Sequence, residues 1–490
     1  MKTYLYLEHI KADKFLILLP FLTITTRLII FIFNPLTYED AFITFRYAEN
    51  LANGFGLVYN IGEKVYGTTT PLFAIILALF KLIGIPCVVS SLAINLISDG
   101  ITSLIVYKFL KAYSKGIISV FVSLIFVFSP SNISWSIHGM ETAFFGAVIA
   151  LSFYCLYNEK YFAALLFGFL SAMIRIDGLS VALIVSFFTI IKLRSQILKQ
   201  PTLFLPLALF ASWLLFLYLY YGNFLPNSMI AKLILYSGHQ TSILPNVSLV
   251  LSKFFIVGYY SSTVITILFL IGVLLIFFKK IKLYPMVTWF LIYYLALILS
   301  KTTIHGWYLI PPLFVFITIS GIAIIFLFDF VTNNIQIKKS IVQLAVFIGV
   351  ILFSAITLSW KIIQISDEHD YELNVRIKIG EFLNKNTPEN ATVFLEPIGV
   401  IGYFSERYIY DDAALISPVF LELNKLPNVA ETRYKKVQLV RPDYLVIRNK
   451  YLKEFYSTTN LTEDYTSLKS FDYYKDPDFP SMTIFKRKSF

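Results

Sequence analysis

The chain has 490 residues, 57% hydrophobic and only 14% charged, with a mean hydropathy of +0.71 and a formal net charge of +11. A soluble domain averages about 45–50% apolar and about 25% charged residues, so a protein built around one aqueous core is excluded and lipid must cover much of the apolar surface. The positive charge is no nucleic-acid footprint, because the lysines cluster between apolar runs, where a membrane protein keeps its cytoplasmic anchors.

The first apolar run, 14–33 (KFLILLPFLTITTRLIIFIF), is long enough to cross a bilayer, which takes about 20 apolar residues. Lys2, Lys11 and Lys14 precede it and predict a cytoplasmic N-terminus. Glu39 and Asp40 follow in place of a small-residue cleavage site, so the run reads as a retained helix and not a cleaved signal. The stretch 71–85 (PLFAIILALFKLIGI) is short for a crossing and carries Lys81. Laid in the outer interface, it leaves crossings at 88–108, 117–131, 140–157, 161–174, 177–193, 202–221, 252–278, 284–300, 307–328 and 340–359. The clusters Lys108/Lys111/Lys115, Lys160, Lys192/Arg194/Lys199, Lys279/Lys280/Lys282 and Lys338/Lys339 then all face the cytoplasm. The expected fold is a polytopic α-helical membrane protein of about eleven transmembrane helices. Cys87 and Cys155 sit in or beside apolar segments and form neither a zinc pattern nor a disulfide framework.

Composition changes abruptly after residue 360. EHDYELNVRIKIGEFLNKN (368–386) has the apolar spacing of an amphipathic helix, and ATVFLE, RYIYD, DYLVIR and SMTIFKR read as short strands between Pro, Gly, Asn and Asp punctuation. Two domains are predicted: a membrane domain over 1–360 and an extracytoplasmic α/β domain over 361–490.

The first outer loop, 37–73, carries the densest chemistry. Phe42, Phe45, Ala48, Leu51 and Ala52 recur at helical spacing, with Thr44, Arg46, Glu49, Asn50 and Asn53 opposite, which predicts an amphipathic helix along the membrane surface. Thr37 followed by Asp40 resembles a capping box. Glu39 and Asp40 then occupy the helix start, where the dipole favours a carboxylate able to act as a base. Acidic residues in a first turn also serve simply as stabilisers, worth under about 1 kcal/mol.

The run EDAFITFRYAENLANGFGLVYNIGE (39–63), with GTTTPLF (67–73) after it, resembles the first-loop signature of the C-type (GT-C) superfamily of membrane glycosyltransferases. Bacterial arabinofuranosyltransferase-like and mannosyltransferase-like members are the most similar. HGMETAFF (138–145), IRIDG (174–178), YYGNFLPNSMIAK (220–232) and HGWYLIPP (305–312) match in order, and IGYFSERYIYDDAALISP (401–418) and RPDYLVI (441–447) resemble the outer domain of this group. Two departures stand out. Relatives show Glu-Gly-Tyr-Thr where this chain has Tyr66-Gly67-Thr68-Thr69-Thr70, so a carboxylate is absent there, and they often show Asp-Asp where it has Glu39-Asp40. The resemblance implies a sugar donor on a polyprenyl phosphate, transfer on the outer face of the plasma (inner) membrane, Asp40 as general base, and inversion at the anomeric carbon. The acceptor is a hydroxyl on a glycan, lipid or protein.

Substrate-binding candidates are Glu39, Arg46, Glu141, Arg175, Asp177, Lys232, His305 and Tyr308. Arg175 and Asp177 either line the donor site, with Arg175 near the phosphate, or pair with each other in a short outer turn. Glu141 holds a sugar hydroxyl or a metal, or is an interfacial end charge. Lys232 and His305 contact sugar or phosphate, His305 having a purely structural alternative. Tyr308 belongs with Trp307 to an aromatic belt if it touches no substrate. Glu39, Asp40 and Glu141 are hard oxygen donors suited to Mg²⁺ or Ca²⁺, but their separation in sequence makes no site, so no metal is assigned. Glu396, Asp411 and Asp412 are read as parts of an accessory domain. No phosphate-binding glycine motif for a nucleotide is present. The competing function is a transporter or flippase of lipid-linked sugars, which predicts inverted repeats and a midplane substrate site.

Overall fold

A computed structural model describes residues 13–35, 37–114, 117–237, 261–300, 304–334, 337–426, 428–453, 461–474 and 480–488, together with residues 247 and 456. The helices of the membrane part are α1 (Phe15–Phe33), α2 (Glu39–Ala52), α3 (Pro71–Leu82), α4 (Cys87–Lys111), α5 (Ile118–Val127), α6 (Pro130–Ile137), α7 (Thr142–Tyr157), α8 (Tyr161–Ile174), α9 (Leu179–Leu193), α10 (Leu205–Tyr221), α11 (Asn227–Ser237), α12 (Ser261–Phe278), α13 (Tyr284–Leu299), α14 (Leu313–Asn334) and α15 (Lys339–Tyr371). Among the described residues, five helical segments are apolar and at least 18 residues long, six if the bent pair α5–α6 counts as one crossing. The protein is a multi-pass membrane protein. Helices occupy the other expected crossings too, but several have only 10–17 apolar residues. Residues 252–260 of the expected crossing 252–278 lie outside the described residues.

Two expected crossings differ in detail. The run 117–131 is no straight helix: it ends at Val127 and resumes at Pro130, the axis turning by 48°. Pro130 has no N–H to donate and restricts Ser129 before it to an extended backbone. The run 307–328 becomes a short turn, Gly306–Leu309, then α14 from Leu313, because Pro311 and Pro312 cannot continue a helix.

The bend is held by a buried ion pair that is absent from the sequence expectations. Arg27 of α1 donates from Nε to Oδ2 of Asp99 on α4 at 2.8 Å, and its other nitrogens reach the carbonyls of Phe126 and Val127 at the frayed end of α5. Asn132 Nδ2 (2.9 Å) and Ser136 Oγ donate to the same Asp99 oxygen from α6. One guanidinium thus satisfies carbonyls that the break would leave bare in an apolar interior.

The tail contains α16 (Ile377–Asn386), β1 (Thr392–Leu395), α17 (Gly399–Ser405), β2 (Tyr408–Asp411), α18 (Val429–Val440), β3 (Tyr444–Arg448), β4 (Tyr465–Phe471) and β5 (Met482–Arg487). Sheet order is β2-β1-β3-β5-β4, with β2, β1 and β3 parallel and β5 antiparallel to both β3 and β4. Helix α15 runs through residue 360 without a break and continues by a π-helical turn, Glu372–Arg376, into α16. Alternate residues of β1 face opposite sides: Phe394 packs with Phe420, Leu445 and Phe485, whereas Val393 and Leu395 join a core shared with α2, α3 and the first loop.

That shared core corrects the surface-helix expectation for α2, whose residues Ala41–Ala48 are all buried because the tail covers the face expected to meet water. Arg46 donates to the carbonyls of Tyr59 (2.9 Å), Gly402 (2.5 Å) and Arg407 (2.6 Å). Asn60 exchanges two hydrogen bonds with the backbone of Ile409, at 2.9 and 3.0 Å. Gly399 donates its N–H to Glu39 Oε1 and lies so close that a Cβ there would overlap the Glu39 backbone oxygen. Gly399→Ala is therefore expected to loosen the tail by about 1–3 kcal/mol, seen as faster cleavage of the tail in limited proteolysis. Gly349→Ala is the control, since no described residue lies within 4 Å of a Cβ at that position. Equal digestion of the two variants would remove this packing argument.

Candidate active site

Helical phase decides which first-loop residues share a face. Asp40, Ile43 and Thr44 are three and four residues apart, occupy one side of α2, and line an open cleft of about 740 Å³ counted with its solvent-filled mouth. Glu39 and Arg46, seven apart, point to the tail instead. The capping box does not form: Tyr38 is the N-cap and no side chain caps the helix. Its N–H donates to the carbonyl of His138 at 2.8 Å, tying the start of α2 to the end of α6.

Six further segments close the cleft: Gly67–Thr70 of the first loop, Met140 and Glu141 before α7, Arg175–Asp177 between α8 and α9, Ser228 and Lys232 on α11, Trp307 and Tyr308, and Leu415 of the tail. Asn227 secures Leu415 by donating from Nδ2 to the carbonyls of Ala414 (2.7 Å) and Leu415 (2.9 Å), while its backbone N–H bonds Tyr66 at 2.6 Å. Ser228 and Lys232 face the cleft together, four residues apart on α11.

The electrostatics set Arg175 between two carboxylates, Asp40 beside Glu39, and Lys232 apart from any carboxylate among the described residues. Arg175 makes a bidentate pair with Asp177, Nε to Oδ1 at 3.0 Å and Nη2 to Oδ2 at 2.9 Å, and reaches Glu141 Oε1 at 3.3 Å. Its guanidinium lies 4.8 Å from the Phe145 ring and 4.9 Å from the Tyr308 ring, a cation–π arrangement on both. The Tyr293 hydroxyl stands 3.1 Å from Asp177 Oδ2 and 2.9 Å from the Tyr308 carbonyl. Both sequence alternatives for Arg175 and Asp177 hold at once: they pair in the turn, and they line the cleft. Lys232 has no carboxylate partner among the described residues, and its Nζ is 5.7 Å from the Trp307 ring. Asp40 is half-buried, so its carboxylate keeps access to the cleft.

Of the nine candidates, Asp40, Glu141, Arg175, Asp177, Lys232 and Tyr308 converge on this cleft, and Glu39, Arg46 and His305 do not line it. His305 stacks flat on Trp307, centroids 4.3 Å apart. Burial, with Lys232 nearby, holds its imidazole down at about 4, so it is neutral at pH 7 and supplies no charge for a phosphate. Sequence reasoning missed the hydroxyls of Thr44, Thr68–Thr70 and Ser228, which carry no charge to mark them. The tail carboxylates are structural: Asp411 collects the N–H groups of Ala413, Leu415 and Ile416, Asp412 pairs with Arg433 and Lys436, and Glu396 pairs with Arg448.

The donors in the cleft do not fit a resident divalent cation. Among the described residues no group of three or more His, Cys, Asp or Glu side chains is gathered for one. Glu141 is engaged by Arg175, and Lys232 adds a like charge to the same space.

A family model described as a domain of unknown function, DUF8728, matches residues 362–485. No curated protein matches the chain. Solved structures do: ArnT from Cupriavidus metallidurans in the apo state, with a TM-score of 0.64 at 11% identity, covering 95% of this chain and 97% of that one. The same protein bound to undecaprenyl phosphate gives 0.62 at 10% identity, covering 97% and 98%. The apo oligosaccharyltransferase from Archaeoglobus fulgidus gives 0.52 at 10% identity, covering 90% of this chain and 70% of that one. The fold of this chain is thus shared with ArnT over nearly its whole length and with the oligosaccharyltransferase over most of it.

Proposed function

We propose that the protein moves a sugar from a polyprenyl-phosphate donor to an acceptor hydroxyl at the outer face of the cell membrane. The observation that carries this reading is one cleft lined by an accessible carboxylate, Asp40, and an ammonium, Lys232, with no carboxylate partner among the described residues, at the edge of an apolar helix bundle. Undecaprenyl phosphate bound to a neighbour of the same fold supports a polyprenyl-linked donor. The lysine clusters between the helices support an outward-facing cleft, with a cytoplasmic N-terminus and about eleven crossings. Residues 1–360 form the catalytic unit, and 361–490 an extracytoplasmic accessory domain that completes the cleft through Leu415.

Asp40 accepts the proton of the attacking hydroxyl as its oxygen bonds the anomeric carbon. The bond from that carbon to the phosphate oxygen breaks, the electron pair leaves with the lipid phosphate, and Lys232 stabilises the growing charge. Arg175, already matched by Asp177 and Glu141, orients the polar wall and adds little net charge. A single displacement of this kind inverts the anomeric centre. General-base catalysis contributes about 10²–10⁴-fold, and orientation of donor and acceptor supplies much of the rest.

Purified protein in proteoliposomes, given a radiolabelled polyprenyl-phosphate sugar and a panel of hydroxyl acceptors, is expected to release lipid phosphate and label an acceptor. Redistribution of the intact donor between leaflets, with no release of sugar, would replace this reading with the carrier function.

A further inference from the structure

A second cleft opens at the opposite end of the helix bundle, about 600 Å³ counted with its solvent-filled mouth. Helices α7, α8 and α9 each run from one cleft to the other, and the 16 residues of α7 set the two about 24 Å apart at about 1.5 Å per residue. Tyr157 and Glu159 at the end of α7, Tyr161 at the start of α8, Lys192 on α9, and Lys282 and Tyr284 at the start of α13 line it. Lys192 Nζ and Lys282 Nζ lie 3.5 and 3.2 Å from the same oxygen, Glu159 Oε1. Glu159 is the one carboxylate among the lining residues, so two ammonium groups share one negative charge and a positive charge is left over. Lys192, Lys282 and Glu159 are 59%, 65% and 47% exposed, so a ligand in the cleft reaches all three. The backbone beneath them is fixed. Helices α7 and α12 end alike: Glu159 and Lys280 are left-handed (φ 58° and 52°), and the N–H groups of Lys160 and Ile281 return to the carbonyls of Cys155 and Ile276, both at 2.9 Å.

We propose that this cleft binds the phosphodiester headgroup of an anionic phospholipid, in the leaflet opposite the Asp40 cleft. The inference does not depend on the transferase reading. The phosphodiester oxygens accept from Lys192 and Lys282 as charge-assisted hydrogen bonds, and the hydroxyls of Tyr161 and Tyr284 are further donors on the same wall. A headgroup with one net negative charge cancels the charge left over. A zwitterionic headgroup brings an ammonium, which would meet Lys192 and Lys282 beside a carboxylate they already share. Basic pockets between helices at a membrane boundary suit such headgroups. The flanking helices favour a lipid over a free phosphate. Phe187, Ile190 and Ile191 on α9 and Leu291 and Leu295 on α13 are exposed and give acyl chains an apolar surface beside the cleft. One turn before Lys192, Phe188 packs edge-on against Tyr284, centroids 5.3 Å apart, and joins these two helices.

The test is native mass spectrometry of the full chain, with phosphatidylglycerol, phosphatidylcholine and inorganic phosphate as the probes. Phosphatidylglycerol is expected to bind saturably, and more tightly than phosphatidylcholine. A basic residue at an anionic membrane surface is worth about fivefold, so Lys192→Gln combined with Lys282→Gln is expected to weaken binding about 25-fold. Glu159→Gln frees both ammonium groups and is expected to tighten it; this gain keeps the proposal testable if the lysine variant fails to fold. Lys338→Gln combined with Lys339→Gln removes the same charge from an exposed cluster at the start of α15 and is expected to change nothing. Equal binding of phosphatidylcholine, an equal loss in the Lys338/Lys339 variant, or weaker binding by Glu159→Gln would overturn the site and leave diffuse attraction. Inorganic phosphate held as tightly as phosphatidylglycerol would overturn the lipid assignment in favour of a soluble anion.

Discussion

Asp40→Asn is expected to lower sugar-transfer turnover by about 10²–10⁴-fold, the worth of a positioned general base, with the melting temperature unchanged. The substitution keeps the size and hydrogen-bonding reach of the side chain and removes only its basicity. Asp40 makes no ion pair among the described residues, so no buried charge is stranded by its loss. The proton moves only in the transition state, so kcat falls and the donor KM stays near its original value. Glu39→Gln is the informative neighbour. Glu39 faces the tail and bonds Gly399, so its loss acts on docking of the tail and not on the chemical step. Equal losses of kcat in the two variants would show that the carboxylates act as a pair and would remove the special role of Asp40.

Arg27→Met is expected to cost about 3–5 kcal/mol, because it leaves Asp99 as an uncompensated charge in an apolar interior. Arg27 is fully buried and Asp99 nearly so, and the loss also bares the carbonyls of Phe126 and Val127. Adding Asp99→Leu removes the stranded charge, so the double variant should recover most of the stability. Thermal unfolding in detergent, followed by size-exclusion chromatography of the heated samples, separates the three proteins. A double variant no better than Arg27→Met would mean that the carbonyl contacts, and not the ion pair, hold the bend. Helix α6 leads directly to His138 and Glu141, so activity should fall and recover in step with stability.

Periodicity made most helices legible, because a run of apolar residues that must lie in lipid has few other ways to satisfy its backbone. The strands β1, β2, β3 and β5 were legible for a related reason: each is a short, β-rich run bounded by turn residues. β4 (Tyr465–Phe471) was not, since five of its seven residues are exposed and no buried alternation marks it. The bend at Phe128–Ser129 had a signal in Pro130, which the hydropathy of the surrounding run concealed. Arg27 and Asp99 also left one, a lone charge of each sign inside two crossings. For the cleft, the spacing of Asp40, Ile43 and Thr44 was readable as one face of α2. The opposite face, with Glu39 and Arg46, could be assigned to the tail only once the tail was seen to cover it. A helix drawn alone shows which residues share a side, not what each side meets.

The most direct measurement is the anomeric configuration of the first product, read by NMR after transfer from a polyprenyl-phosphate sugar of defined anomer. Direct attack by a hydroxyl deprotonated at Asp40 predicts complete inversion. Retention would require a covalent sugar-enzyme intermediate and contradicts the role given to Asp40, and a donor left intact in the presence of every acceptor contradicts sugar transfer itself.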